Sequence, residues 1–157
     1  MNMIEELKRR WLGAGVEPGD TILVHSNIKR TLVELRSAGH SASPDDILQS
    51  FLDLIGKKGT LLLPLFNFDF ASGVPFDIRN TPSHMGAMTE AGRLRKEAVR
   101  TGHPIYSFAV IGDKSKDFEN VDNESGYSDE SPFGILRKMN GKIASLDLDD
   151  QNSMTFY

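Results

Sequence analysis

Apolar residues recur at Met3, Ile4, Leu7, Trp11 and Leu12, the spacing of one helical face, with Lys8, Arg9 and Arg10 opposite. Gly13 and Gly15 close this segment, and Pro18–Gly19–Asp20 is turn chemistry. Thr21–Ile22–Leu23–Val24 then reads as a short buried strand, followed by a helical segment from Ile28 to about Leu35. A second helix is announced by Ser43–Pro44–Asp45–Asp46: a hydroxyl cap, a proline in the first turn, and acids at the positive end of the dipole. Ile47, Leu48, Phe51, Leu52 and Ile55 give it an apolar stripe, and Gly56 ends it.

The run Thr60–Leu61–Leu62–Leu63–Pro64–Leu65–Phe66 is apolar without alternation, the pattern of a strand covered on both faces. From Asn67 to Thr81 the chain reads as a long loop of the kind that often carries function. Ser83 is expected to cap a helix through about Glu97, with Met85, Met88, Ala91 and Leu94 inward. A strand over Tyr106–Ile111, a short helix near Ser115–Phe118, a helix opened by Ser131–Pro132 and a last strand over Lys142–Leu146 complete the pattern. Strands alternating with helices predict an α/β layered domain, and no linker or repeat divides residues 1–157, which are read as a single domain. Asp149–Asp150–Gln151–Asn152 has the composition of another helix start, with Ser153–Met154–Thr155–Phe156–Tyr157 after it.

The composition narrows the possibilities. The absence of cysteine removes disulfides, thiolate catalysis and cysteine-ligated metals. A net charge of −4 and a pI near 5.5 weigh against a nucleic-acid partner and suit a cationic one. No basic-then-apolar leader opens the chain, and no stretch approaches the roughly 20 apolar residues of a membrane span. A cytoplasmic protein without a membrane association is the expectation.

Two segments stand out as anion-compatible. Val24–His25–Ser26–Asn27 sits where a strand hands over to a helix, where free amides and the dipole converge, with Lys29 and Arg30 nearby. Thr81–Pro82–Ser83–His84–Met85–Gly86 repeats the arrangement, with a glycine leaving room for a ligand. Both also suit plain helix capping by Ser26 and Ser83. There is no P-loop, no GxGxxG and no GxSxG elbow. His25, His40, His84 and His103 lack metal-ligand spacing, so no metal site is expected. Arg93, Arg95, Lys96 and Arg100 can hold a phosphate or form the outer face of the Ser83 helix, and Asp69, Asp77, Asp129 and Glu130 offer negative charge to an amine.

Taken together, the chain resembles the aminoglycoside 3-N-acetyltransferase family of acetyl-CoA-dependent enzymes. The matching stretches are Val16–Thr21 leading into Val24–Ser26, then Gly59–Pro64, Phe76–Asp77, Thr81–Gly86 with Glu90, Arg100, His103–Pro104, Ser107–Ala109, Ser131–Pro132 and Gly141–Lys142. The resemblance implies a three-layer α/β/α sandwich that binds acetyl-CoA without metal and acetylates an aminoglycoside or other amino sugar, a chemistry associated with antibiotic resistance. It implies a cofactor cradle of His25, Ser26, Asn27, Ile28 and Lys29 with Thr81, Pro82, Ser83 and Met85, and Ser107 and Phe108 along the pantetheine arm. Phe66 and Asp69 would face the amine. The family's catalytic histidine, the base that frees the amine for attack on the thioester, follows the segment matching Met154–Tyr157. No residue of this chain is therefore assigned as catalytic, and the chain corresponds to the N-terminal portion of such an enzyme. The alternatives are a CoA-binding module and an inactive fragment.

Overall fold

The structure is a computed structural model that describes residues 2–148. In chain order the elements are α1 (Met3–Gly13), β1 (Thr21–Ser26), α2 (Lys29–Ser37), α3 (Pro44–Ile55), β2 (Thr60–Pro64), α4 (Ala87–Arg93), β3 (Val99–Arg100), β4 (Phe108–Gly112), α5 (Pro132–Lys138) and β5 (Lys142–Leu146). Single 3-10 turns occupy Asp69–Ser72 and Ser115–Phe118. The helix-start composition at Asp149–Asn152 lies outside the described residues.

The strands form one mixed sheet in the order β3-β4-β2-β1-β5. β1 runs parallel to both β2 and β5, with Thr21 opposite Thr60 and Ile22 opposite Lys142. β4 turns the other way against β2, pairing Leu62 with Val110, and β3 adds a two-residue edge to β4. All five residues of β2 are buried, because helices cover both faces. Alternation along the strands divides the core in two. Ile22, Val24, Leu61, Leu63 and Ala109 pack with α1, α3, Leu35 of α2 and Met88 of α4. Leu23, Leu62, Phe66, Phe108 and Val110 pack with Phe118 and with Phe133 and Leu136 of α5. This is the three-layer α/β/α architecture expected from the sequence. No helix among the described residues is long and apolar enough to cross a membrane.

Local chemistry explains the boundaries that were legible. Ser43 and Asp46 form a reciprocal capping box at α3, with Pro44 in the first turn. Trp11 of α1 stacks on Phe51 of α3 at 4.6 Å, and its indole N–H donates to Ser50 Oγ at 2.7 Å. Three expectations need correction. Leu12 is half exposed, on the wet side of α1. The helix expected from Ser83 to Glu97 is only Ala87–Arg93: Ser83–Met85 folds as a turn, and at the far end the Arg95 amide tightens onto Gly92 O while its guanidinium anchors the exit to Asp45 and Gln49. Leu94, expected inward, is consequently exposed. β3 was not anticipated, two residues being too short to show a period.

Removing the Ser50 hydroxyl strands a buried indole donor. Ser50→Ala is expected to cost about 1–3 kcal/mol of folding stability, read from urea unfolding; an unchanged midpoint would contradict the packing described for α1 on α3.

Candidate functional site

The carboxyl ends of the parallel strands β1 and β2 lie at one edge of the sheet, and the chain leaving each of them builds the site. Beyond β1, the Asn27 amide donates to Leu146 O at 2.8 Å, which ties the corner to β5. Asn27 Oδ1 accepts from the Lys29 amide at 3.3 Å, and Ile28, with its side chain buried, precedes α2 without a side-chain cap. Ser26 is thus not a helix cap; it ends β1, half-buried. Lys29 and Arg30 are exposed beside it.

Beyond β2, buried Asn67 fastens the second corner. Its Nδ2 donates to Pro82 O at 2.9 Å and lies 3.3 Å from His84 Nε2, while its Oδ1 accepts from the Asp69 amide. The Ser83 amide donates to Glu90 Oε2 at 2.7 Å, the His84 amide to Phe66 O, and the Met85 amide to Ser83 Oγ. Ser83 Oγ also pairs with Thr89 Oγ1 at 2.8 Å. The expected ring of free amides at Ser83 is therefore spent within the corner at Ser83, His84 and Met85. Gly86 adopts φ +117, and a Cβ placed on it would lie 3.6 Å from Ser26 O. The two corners picked out in the sequence therefore lie next to each other, at a spacing that a Cβ on Gly86 would bridge at ordinary van der Waals distance.

The remaining candidates divide clearly. Asp69 is half exposed at the mouth, its Oδ2 3.7 Å from His84 Nε2. Phe66, expected to face the amine, is fully buried, edge-on to Tyr106 and Phe108, so its ring belongs to the core. Ser107 and Phe108, expected along the pantetheine arm, are also buried: Phe108 packs on Phe133, and Ser107 Oγ accepts from Arg100 Nε at 3.2 Å. They stand behind the corner, not on its surface. The basic cluster does not gather as a phosphate site, since Arg93 pairs with Glu90 and Arg95 with Asp45. Asn67 carried no signal in the sequence beyond its place after a buried strand, and the role of Glu90 depends on a contact seven residues away.

Electrostatics follow burial. His25 is buried among apolar side chains beside the Phe66 ring, and Nε2 has no partner among the described residues; burial pushes its imidazole down to about 4. His103 is also lowered by burial, and its Nδ1 accepts from the Ile105 and Tyr106 amides, which makes it a neutral loop clasp. Burial opposes ionisation of Glu90, but hydrogen bonds from Arg93 and the Ser83 amide outweigh it and hold the carboxyl below its ordinary range.

The mixed α/β sheet thus brings two corners together beyond the carboxyl ends of its parallel strands β1 and β2. The comparisons then place the chain: residues 23–157 match the family model for aminoglycoside 3-N-acetyltransferase, and the chain belongs to that family. It is 25% identical over 179 residues to the SPbeta prophage-derived aminoglycoside N(3')-acetyltransferase-like protein YokD of Bacillus subtilis, covering 99% of this chain and 62% of that protein. It is 24% identical to aminoglycoside N(3)-acetyltransferase VII of Streptomyces paromomycinus, covering 89% and 54%. The crystal structure of aminoglycoside acetyltransferase AAC(3)-Xa superposes with a TM-score of 0.73 at 25% identity, over 89% of this chain and 54% of that one. AAC-IIIb in binary complex with CoASH and AAC-VIa bound to sisomicin share the fold with TM-scores of 0.73 and 0.72, each at 23% identity. The chain thus spans between about half and two-thirds of the length of the curated relatives it matches.

The buried imidazole carries a pH signature. Its folded value of about 4 lies below the ordinary 6.5, so between those values the unfolded chain binds a proton that the folded chain does not. Its contribution to stability is complete above about pH 6.5 and is lost as pH falls toward 4. His25→Phe is expected to flatten this part of the stability–pH curve measured by urea titration; an identical slope in the variant would contradict the burial described.

Proposed function

We propose that this chain supplies the acetyl-CoA-binding portion of an N-acetyltransferase acting on an aminoglycoside or related amino sugar. The single observation that carries the reading is the proximity of the Ser26 and Gly86 corners at the carboxyl edge of the sheet. Gly86 places no side chain between the corners, which fits a crevice that admits an extended ligand. The hydroxyl of Ser26, the side chains of Asn27 and Lys29, and the amides from Gly86 onward supply donors for a diphosphate-bearing tether. Thr81, Pro82, Ser83 and Met85 shape the wall, and Ile28 anchors α2 from beneath. Support comes from the family to which the chain belongs and from the relative whose complex contains CoASH.

When bound, acetyl-CoA supplies the acetyl group as a thioester. Acetyl transfer breaks its C–S bond and forms a C–N bond, with a proton passing from the amine toward the departing thiolate. The chain's own contribution is to hold the tether and to present negative charge toward a cationic amine. Asp69, exposed at the mouth and held by the bond from its amide to Asn67 Oδ1, is assigned that second role. The relative bound to sisomicin supports an amine of this class.

No histidine among the described residues is assigned as base. His25 Nε2 is buried, His103 Nδ1 is engaged by two backbone amides, His40 lies near Glu6, and His84 Nε2 is turned toward Asn67 and Asp69. The segment matching the family's approach to its catalytic histidine, Met154–Tyr157, lies outside the described residues. This arrangement also favours a second reading, a CoA-binding portion without turnover of its own. A thiol-release assay with acetyl-CoA and a panel of aminoglycosides separates the two: release supports transfer, and binding without release supports the module.

Calorimetric titration with CoA tests the shared claim. Wild-type chain is expected to bind, and Gly86→Val, which forces a branched side chain into the gap at a positive φ, is expected to weaken binding by at least about 10-fold while the chain stays folded. A folded variant with unchanged affinity would place the ligand elsewhere.

A further inference from the structure

The backbone from Phe76 to Ser83 has no regular structure, yet four of its polar groups end on three charged side chains from other elements. Arg100 of β3 donates through Nη1 to Thr81 O at 2.5 Å and to Ile78 O at 3.3 Å, and through Nε to Ser107 Oγ at 3.2 Å. Its guanidinium lies over the Phe76 ring, 5.1 Å from the centroid. Arg93 of α4 donates to Arg79 O at 3.1 Å and is ion-paired with Glu90, whose other oxygen takes the Ser83 amide. The carbonyls of Ile78, Arg79 and Thr81 and the amide of Ser83 are thus gathered by one connected set of charges.

This set is costly. Burial and the neighbouring Arg93 charge push the Arg100 guanidinium down to about 10, against the pull of Glu90 and Asp77, and its buried Nη2 has no partner among the described residues. A half-buried cation in this position needs a return beyond loop closure. The geometry of its bonds indicates what that return is, because each ends on the segment that leads into the Gly86 corner or on Ser107, just before β4.

We propose that Arg100, acting with Glu90 and Arg93, is a positioning residue that fixes the Thr81–Gly86 corner in its cofactor-receiving shape, so that a guanidinium with no ligand contact of its own sets the affinity for acetyl-CoA. The inference rests on the reading of that corner given above. Its chemical content is the planar fork: three acceptors in two directions, plus a ring face, match a guanidinium and cannot be matched together by an ammonium.

The test compares Arg100→Lys and Arg100→Ala with wild type by CoA calorimetry at a temperature where thermal melts show all three folded. Amide hydrogen exchange is followed in parallel. Arg100→Lys keeps the charge, loses the fork, and is expected to weaken CoA binding by about 10-fold; Arg100→Ala is expected to weaken it further. Exchange should quicken across residues 77–86 and stay unchanged in β1 and β2. Arg137→Ala, which removes an exposed cation paired with Asp129, is expected to leave affinity unaltered. Folded Arg100 variants that bind as tightly as wild type overturn the clamp alone. Weakened binding with exchange quickened throughout the sheet also overturns it, since general destabilisation then explains the loss. A wild-type chain that binds no CoA removes the reading of the corner, and this proposal with it.

Discussion

The parallel pairing of β1 with β2 is the constraint from which the candidate site follows. Two strands pointing the same way must release their chains at the same edge, so the segments after Ser26 and after Pro64 occupy one small region. An antiparallel β1–β2 pair would have put those exits at opposite ends. The pairing is secured by burial on both faces, because Leu61 and Leu63 face the α3 side while Leu62 faces Phe108 and Phe133. A slip of one residue would exchange those faces, which fixes the register strongly. The site's geometry is therefore inherited from the core, and the loops need only elaborate it.

Much of the framework was legible because local chemistry and tertiary packing agree there. The Ser43 capping box, the apolar stripe of α3 and the unbroken apolar run of β2 each stated their structure directly. Disagreement arose where a distant charge decides the local conformation. Ser83 reads as a cap, but Glu90 takes its amide and the adjoining hydroxyl is shared with Thr89 and Met85, so the helix begins four residues later. Arg100 reads equally well as surface charge, and only the folded chain shows that it turns inward toward backbone carbonyls. Among the candidate site residues, Ser26 and the Thr81–Gly86 turn were visible as separate corners; their proximity depends on sheet topology, which no spacing encodes. Phe66, Ser107 and Phe108 were expected to line the site, but all three side chains are buried.

The two corners differ in how they are stiffened. The Ser26 corner is pinned by the Asn27 amide to β5 and by a single side-chain turn at Asn27, leaving Lys29 and Arg30 in solvent. The Thr81–Gly86 corner is built from buried Asn67, the Glu90 carboxylate and two arginines. A corner whose amides are mostly committed internally offers a ligand few adaptable donors but a well-defined wall. The exposed cations of the first corner can then contribute charge while the second contributes shape, a division that suits a long anionic tether ending near Asp69.

These corners together are proposed to form one cofactor crevice. Mapping backbone amide chemical shifts during a titration with CoA tests it most directly, because the readout is positional. Perturbations are expected to concentrate at residues 26–30 and 83–88, both sets saturating at the same CoA concentration. Perturbations confined to the apolar groove between α5 and β5, around Phe133 and Ile143, would contradict it.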